Sequence, residues 1–129
     1  MLDGAARNSH ADRTLLRSLG STLRDAGDLR RSAAVLEELV RTDASDLQAA
    51  DALGQTYARM GRGADAEALF KRVLDRSPNA STTWNNLGTL YLAAGRSDDA
   101  IAALSRAVAI DPDARDRSQR PRRRVRTQG

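Results

Sequence analysis

Residues 84–95 read WNNLGTLYLAAG and hold the only Trp of a 129-residue chain. Sliding this window back until Trp84 falls on Ala50 gives ADALGQTYARMG at 50–61, and a second shift of the same size gives LRSLGSTLRDAG at 16–27. Leu-Gly recurs in all three windows as Leu19–Gly20, Leu53–Gly54 and Leu87–Gly88. A second glycine follows seven residues later, at Gly27, Gly61 and Gly95, so six of the nine glycines occupy two positions of one period. Scattered glycines would not do that. A fixed period of about 34 residues marks a repeat architecture, in which each unit buries its apolar face against its neighbours.

The downstream halves align under the same shift. Ser32, Ala66 and Ala100 are small, while Leu36, Phe70 and Leu104 are large and apolar. Leu39, Val73 and Ala107 follow, then Val40, Leu74 and Val108. Pro78 and Pro112 close the second and third copies, where the first has Ala44. The units are therefore 13–46, 47–80 and 81–114, without insertions.

Within a unit the apolar spacing is helical. Trp84, Leu87 and Tyr91 step by three and four, and after Gly95 the pattern restarts with Ile101, Leu104 and Val108. Gly95 and its equivalents suit a left-handed helix C-cap, where a side chain would clash. Ser97 starts the next helix, with Asp98 and Asp99 near the positive end of its dipole. Asp111-Pro112 and Ser77-Pro78 end the second helices, because the residue before Pro is pushed out of the α region. Each unit reads as a helix, a tight turn and an antiparallel second helix.

Aromatics make up only 3% of the chain, so the core must be built from Leu, Val and Ala, which favours packed helices over strands. With no Cys, disulfides and thiolate metal sites are excluded. The amino terminus has no apolar run, and no stretch approaches the ~20 apolar residues needed to span a bilayer. The expectation is a soluble, cytoplasmic protein. Residues 1–114 carry 14 basic and 16 acidic side chains, whereas 115–129 carry seven Arg and one Asp. The basicity of the chain is thus the property of a tail.

These repeats resemble the tetratricopeptide repeat family. The third unit carries the family pattern as Trp84, Leu87, Gly88, Tyr91, Ala100, Leu104, Ala107 and Pro112. The second carries it as Leu53, Gly54, Tyr57, Ala66, Phe70 and Pro78, with Ala50 at the first position and Val73 at the last small one. The first diverges most: Leu19 and Gly20 are retained, but Leu16, Leu23, Ser32 and Ala44 stand where an aromatic, Tyr, Ala and Pro are usual. The resemblance implies an all-α fold, a right-handed superhelical solenoid of three antiparallel helix pairs. It follows a lead segment at 1–12 and precedes a disordered Arg-rich tail at 115–129. First helices would line a concave groove that holds a peptide from another protein.

On that reading the groove residues are Arg17, Ser21 and Arg24 in the first unit, Asp51, Gln55 and Arg59 in the second, and Asn85, Asn86 and Thr89 in the third. Asn85 and Asn86 flank the core stripe, and a side-chain amide offers both a donor and an acceptor to a peptide backbone. The alternative for the same pair is a solvated polar face. Ser18 and Ala52 stand at the positions equivalent to Asn86, so there is no asparagine ladder. Trp84, Tyr57 and Tyr91 are assigned to the core rather than to a stacking platform.

Catalysis finds no support. His10, the only His, precedes the first repeat, so nothing in the repeats can serve as a histidine base for a nucleophile. The carboxylates Glu37–Glu38 and Asp98–Asp99 are sequence neighbours and diverge by about 100° on a helix. No metal ligand set and no cofactor motif is present. The expected function is a non-enzymatic scaffold for a protein or peptide partner. The rival reading is nucleic-acid binding through QRPRRRVR, whose clustered Arg can neutralise phosphates. Ile101, Val108 and Ile110 would face a missing neighbour, with only Ala114 and Val125 as downstream apolar cover. That edge therefore suggests self-association, or a place in a longer repeat protein.

Overall fold

The computed structural model describes residues 10–112. Six helices follow in order: α1 His10–Asp25, α2 Leu29–Thr42, α3 Leu47–Arg59, α4 Gly63–Arg76, α5 Ser81–Ala93 and α6 Ser97–Ile110. Among the described residues there is no strand, so the fold is an all-α helical repeat. Helices α1 to α4 belong to one compact unit, Met1–Arg76, and α5 and α6 to a second, Ser77–Gly129. In the first unit α1 packs on α2, α2 on α3 and α3 on α4, with α1 also touching α3. In the second, α5 packs on α6. The first helix begins at His10, ahead of the repeat boundary at 13.

The three turns inside the pairs are built alike. Gly27, Gly61 and Gly95 have φ of +89°, +81° and +78°, the left-handed region that an L side chain resists. The amides of Asp28, Arg62 and Arg96 reach back to the carbonyls of Leu23, Tyr57 and Tyr91, each at 2.8 Å. This is the Schellman closure, which satisfies helix-end carbonyls while reversing the chain. Ser97 is the first helical residue of α6, while Arg96 occupies the cap position without a side-chain cap bond.

The Leu-Gly glycines solve a different problem. A Cβ built on Gly54 would lie 2.5 Å from Cε1 of Phe70. On Gly20 it would lie 2.7 Å from Leu36, and on Gly88 2.6 Å from Leu104. The large residue of the second helix, rather than the small one at Ala66 or Ala100, fills the space that a glycine side chain leaves empty. The small position has its own task. At Ser32 a fully buried hydroxyl donates to the Gly20 carbonyl at 2.7 Å and lies 3.0 Å from Thr56 Oγ1 on α3. Thr56 in turn donates to the Ala52 carbonyl, so the buried hydroxyl pair is satisfied.

Repeat 1 also departs from its copies at its exit. Asp46 caps α3 by accepting from the Ala49 amide through Oδ1. Its Oδ2 accepts from Arg13 Nε and Nη2 and from Arg17 Nη1, at 3.0–3.1 Å. Arg13 is buried and donates further to Thr42 Oγ1 and the Leu39 carbonyl. The Arg13–Asp46 pair thus joins α1, the end of α2 and the start of α3. Where Pro is usual, the turn holds Ala44, and Asp43 accepts from both the amide and the hydroxyl of Ser45. Those two bonds, the hydroxyl first, hold the Asp43 carboxyl below its ordinary range. The equivalent cap at the second junction is Ala80, which has no side-chain bond.

Replacing Gly54 by Ala should destabilise the chain by about 1–2 kcal/mol, overpacking outweighing the gain in helix propensity. Gly61→Ala should cost about 1 kcal/mol through its left-handed φ alone. Asn should rescue Gly61 better than Val does, and should not rescue Gly54. Asp46→Ala strands a buried guanidinium and should cost about 3–5 kcal/mol, whereas Glu38→Ala, which breaks the exposed pair with Arg41, should be within error. Urea unfolding of the full chain reads all of these.

Candidate functional site

The first-helix surface of unit 1 carries a shallow opening of about 450 Å³. Its wall is Thr14, Arg17, Ser18, Ser21 and Thr22 on α1, with Gln48 and Ala52 on α3. The repeat places them: 14, 18 and 22, and 17 and 21, step by four along α1, and Gln48 and Ala52 do so along α3. All of these side chains but Ala52 end in a hydroxyl, an amide or a guanidinium. Such a lining can hydrogen-bond a polypeptide backbone.

Of the residues singled out from sequence, Arg17 and Ser21 line this opening. Arg24 stands one turn further along α1, on the same stripe as Arg17 and Ser21. Asp51 and Gln55 are linked to each other, Gln55 Nε2 donating to Asp51 Oδ2 at 3.1 Å. Arg59 Nη1 donates to the Arg24 carbonyl at 3.3 Å, bridging α3 to α1. Arg17 is not a free cation, because its Nη1 is engaged by Asp46. Arg24 is different: its Nε approaches Asp25 at 3.4 Å, while its Nη1 is buried without a hydrogen-bond partner among the described residues. A buried donor left unmade costs roughly 1–3 kcal/mol.

In unit 2, Asn85 and Thr89 are exposed and Asn86 is half-buried, all on α5. The Thr89 hydroxyl donates to the Asn85 carbonyl at 3.1 Å, so it is spent on its own helix. Trp84 is half-buried; its Nε1 donates to the Pro78 carbonyl at 2.9 Å and the Arg106 guanidinium lies 4.9 Å over its ring. It therefore pins the 77–80 turn to α5 as well as filling space.

A second opening, of about 410 Å³, lies in unit 1 among α2, α3 and α4, with Val40, Leu53 and Leu69 as apolar walls. Here the polar groups serve one another. Tyr57 Oη donates to Glu37 Oε2 at 2.6 Å, and the Arg62 guanidinium covers the Tyr57 ring at 4.0 Å while pairing with Asp65. Tyr91, Arg96 and Asp99 repeat this arrangement one period on, with the guanidinium 4.3 Å over the ring. The reading of the sequence missed this triad, although both Arg and both Asp stand at equivalent positions of the repeat. Burial first, and then the bond to Glu37, push the Tyr57 hydroxyl up to about 12.

No described helix is long and apolar enough to cross a membrane. The Arg-rich segment 115–129, the lead residues 1–9, and Ala114 and Val125 lie outside the described residues.

Residues 52–115 match the family profile described as Tetratricopeptide repeat. No curated protein matches by sequence. Among solved structures, MamA superposes with a TM-score of 0.72 at 23% identity, over 80% of this chain and 60% of that one. YrrB, described as a TPR protein with an unusual peptide-binding site, gives 0.74 at 23% identity, over 80% of this chain and 53% of that one. The Thermobaculum terrenum O-GlcNAc transferase gives 0.76 at 23% identity, over 88% of this chain but 21% of the enzyme. The chain therefore spans little more than half the length of the first two. It carries tetratricopeptide repeats.

Tyr57 offers a test of the packing. Its hydroxyl ionises near 10 in an unfolded chain and near 12 in the folded one, so stability is undiminished below pH 10. It should fall between pH 10 and 12 by on the order of 1 kcal/mol, after discounting for solvent screening. Chemical denaturation across that range, with Tyr57→Phe as the control that removes this share of the loss, reads it.

Proposed function

We propose that this tetratricopeptide repeat protein is a non-catalytic protein-interaction module whose first-helix face in unit 1 holds an extended segment of a partner protein. The observation that carries the reading is the buried Arg24 Nη1, without an acceptor among the described residues, one turn along α1 from an open recess that carries hydroxyls, an amide and a guanidinium. A peptide carbonyl or carboxylate can supply that acceptor once the Arg24 side chain turns out towards the recess, since Nη1 is closed to solvent where it stands. The hydroxyls and amides of Ser18, Ser21 and Gln48 can then bond the donors and acceptors of the same main chain. Asp51, Gln55 and Arg59 border this face on α3 and set the charge pattern a partner meets. In unit 2, taken by itself, Asn85 and Asn86 on α5 offer amides of the same kind to a peptide main chain. The likeness in fold to YrrB supports the reading.

A phage-displayed peptide library selected on the full chain, followed by NMR titration of the selected peptides, tests this. Arg24→Ala and Gln55→Ala should each weaken such peptides by about tenfold, or ~1.4 kcal/mol. Arg72→Ala, beside the second opening, should leave affinity unchanged. Deleting 115–129 should also leave peptide binding intact. Selected peptides indifferent to Arg24 and Gln55 would refute the assignment. Loss of all peptide binding with the tail would refute it too, and nucleic-acid binding that disappears with the tail would favour the rival reading.

A further inference from the structure

The two ends of the repeat series carry apolar side chains where a solvated surface is the norm. Leu15 and Leu19, one turn apart on α1, are 68% and 45% exposed. Their counterparts in the next repeat, Ala49 and Leu53 of α3, are 0% and 3% exposed. On α6, Ile101 and Val108 are 62% and 41% exposed, whereas Ala33 at the counterpart of Ile101 on α2 is buried.

These two faces are the two halves of a contact the chain already makes. Within unit 1, α3 meets α2 through Leu53 beside Val40, the Thr56 hydroxyl 3.0 Å from that of Ser32, and Tyr57 bonded to Glu37. The α1 face repeats the α3 half, and the α6 face repeats the α2 half. We propose that a second copy of this protein covers them: the Leu15–Leu19 face of one copy seats against the Ile101–Val108 face of the next.

The substitutions at these positions favour that occupant. Terminal repeats of a solenoid normally turn a polar face outward. Here the end positions are larger or more apolar than their interior equivalents: Leu15 stands for Ala49 and Thr83, and Ile101 for Ala33 and Glu67. The polar link of the internal contact has been altered on both sides at once. Leu23 replaces the Tyr57 position on the α1 face, and Ser105 replaces the Glu37 position on the α6 face. A Glu opposite Leu23 would be buried without its partner, and Ser105 avoids that cost. Because the two faces differ, the contact is heterologous, and it propagates from copy to copy unless a ring closes. It stands on faces other than the one proposed for peptide binding, so either can fail without the other.

Sedimentation velocity of the full chain over about a hundredfold range of concentration should show average mass rising through dimers to larger species. Leu15→Arg with Leu19→Arg, and separately Ile101→Arg with Val108→Arg, should each give a folded monomer at every concentration, with helicity checked by circular dichroism. An equimolar mixture of the two should form one-to-one dimers and stop there, since each retains one working face. A parent chain that stays monomeric overturns the proposal. So does a variant that associates like the parent, or a mixture that stays monomeric. Should either double variant unfold, the parent series and the single Leu15→Ser and Ile101→Ser variants decide, each expected to lower the average mass.

Discussion

The close approach of a large side chain to a backbone without a side chain sets the geometry of every helix pair. Leu36, Phe70 and Leu104 each press into the gap at Gly20, Gly54 and Gly88, nearer than any Cβ would allow. A glycine inside a helix costs about 1 kcal/mol against Ala, so it persists only where close packing returns more. That contact, with the glycine turn that follows it in each unit, makes each repeat a rigid hairpin of helices. The positions outside it are then free to differ between repeats, and they do.

Those differences show how one period carries local variants without losing its frame. Tyr57 and Tyr91 are each covered by an Arg that pairs with an Asp, whereas the first repeat has Leu23 and no such cover. The first repeat instead has Arg13 and Arg17 on Asp46, a carboxylate that also caps the next helix. A buried ionic group is an expensive joint unless every atom is engaged. Here both oxygens of Asp46 and all three guanidinium nitrogens of Arg13 have partners. The exit of repeat 1, which lacks the usual Pro, is thereby held by tertiary bonds rather than by backbone stiffness.

The candidate face was legible in part. Helical spacing places Arg17, Ser21 and Arg24 on one stripe, and the structure keeps them there. Spacing could not show that Arg17 is occupied by Asp46, nor that Arg24 retains a buried nitrogen without an acceptor, because those facts depend on the fill around each guanidinium. Thr14 and Thr22 give no signal in the sequence as wall residues, since a hydroxyl on a helix surface carries no periodic pattern of its own. Trp84 was assigned to the core, and it is half-buried with its indole N–H spent on the Pro78 carbonyl. The aromatic that drew the eye is an anchor for a turn.

By itself the sequence determined the helices, their turns and their pairing. Those rest on short-range physics: a left-handed glycine, a proline stop, an apolar stripe at steps of three and four. The glycine and the apolar stripe return in every unit of the series and the proline in two of the three, so the copies confirm one another. Only the tertiary structure decided which polar side chains are already spent. Arg13 reaches 33 residues to Asp46, Tyr57 reaches 20 to Glu37, and Ser32 reaches 24 to Thr56. Partners at such separations are joined by packing between helices, and no local pattern in the chain encodes that.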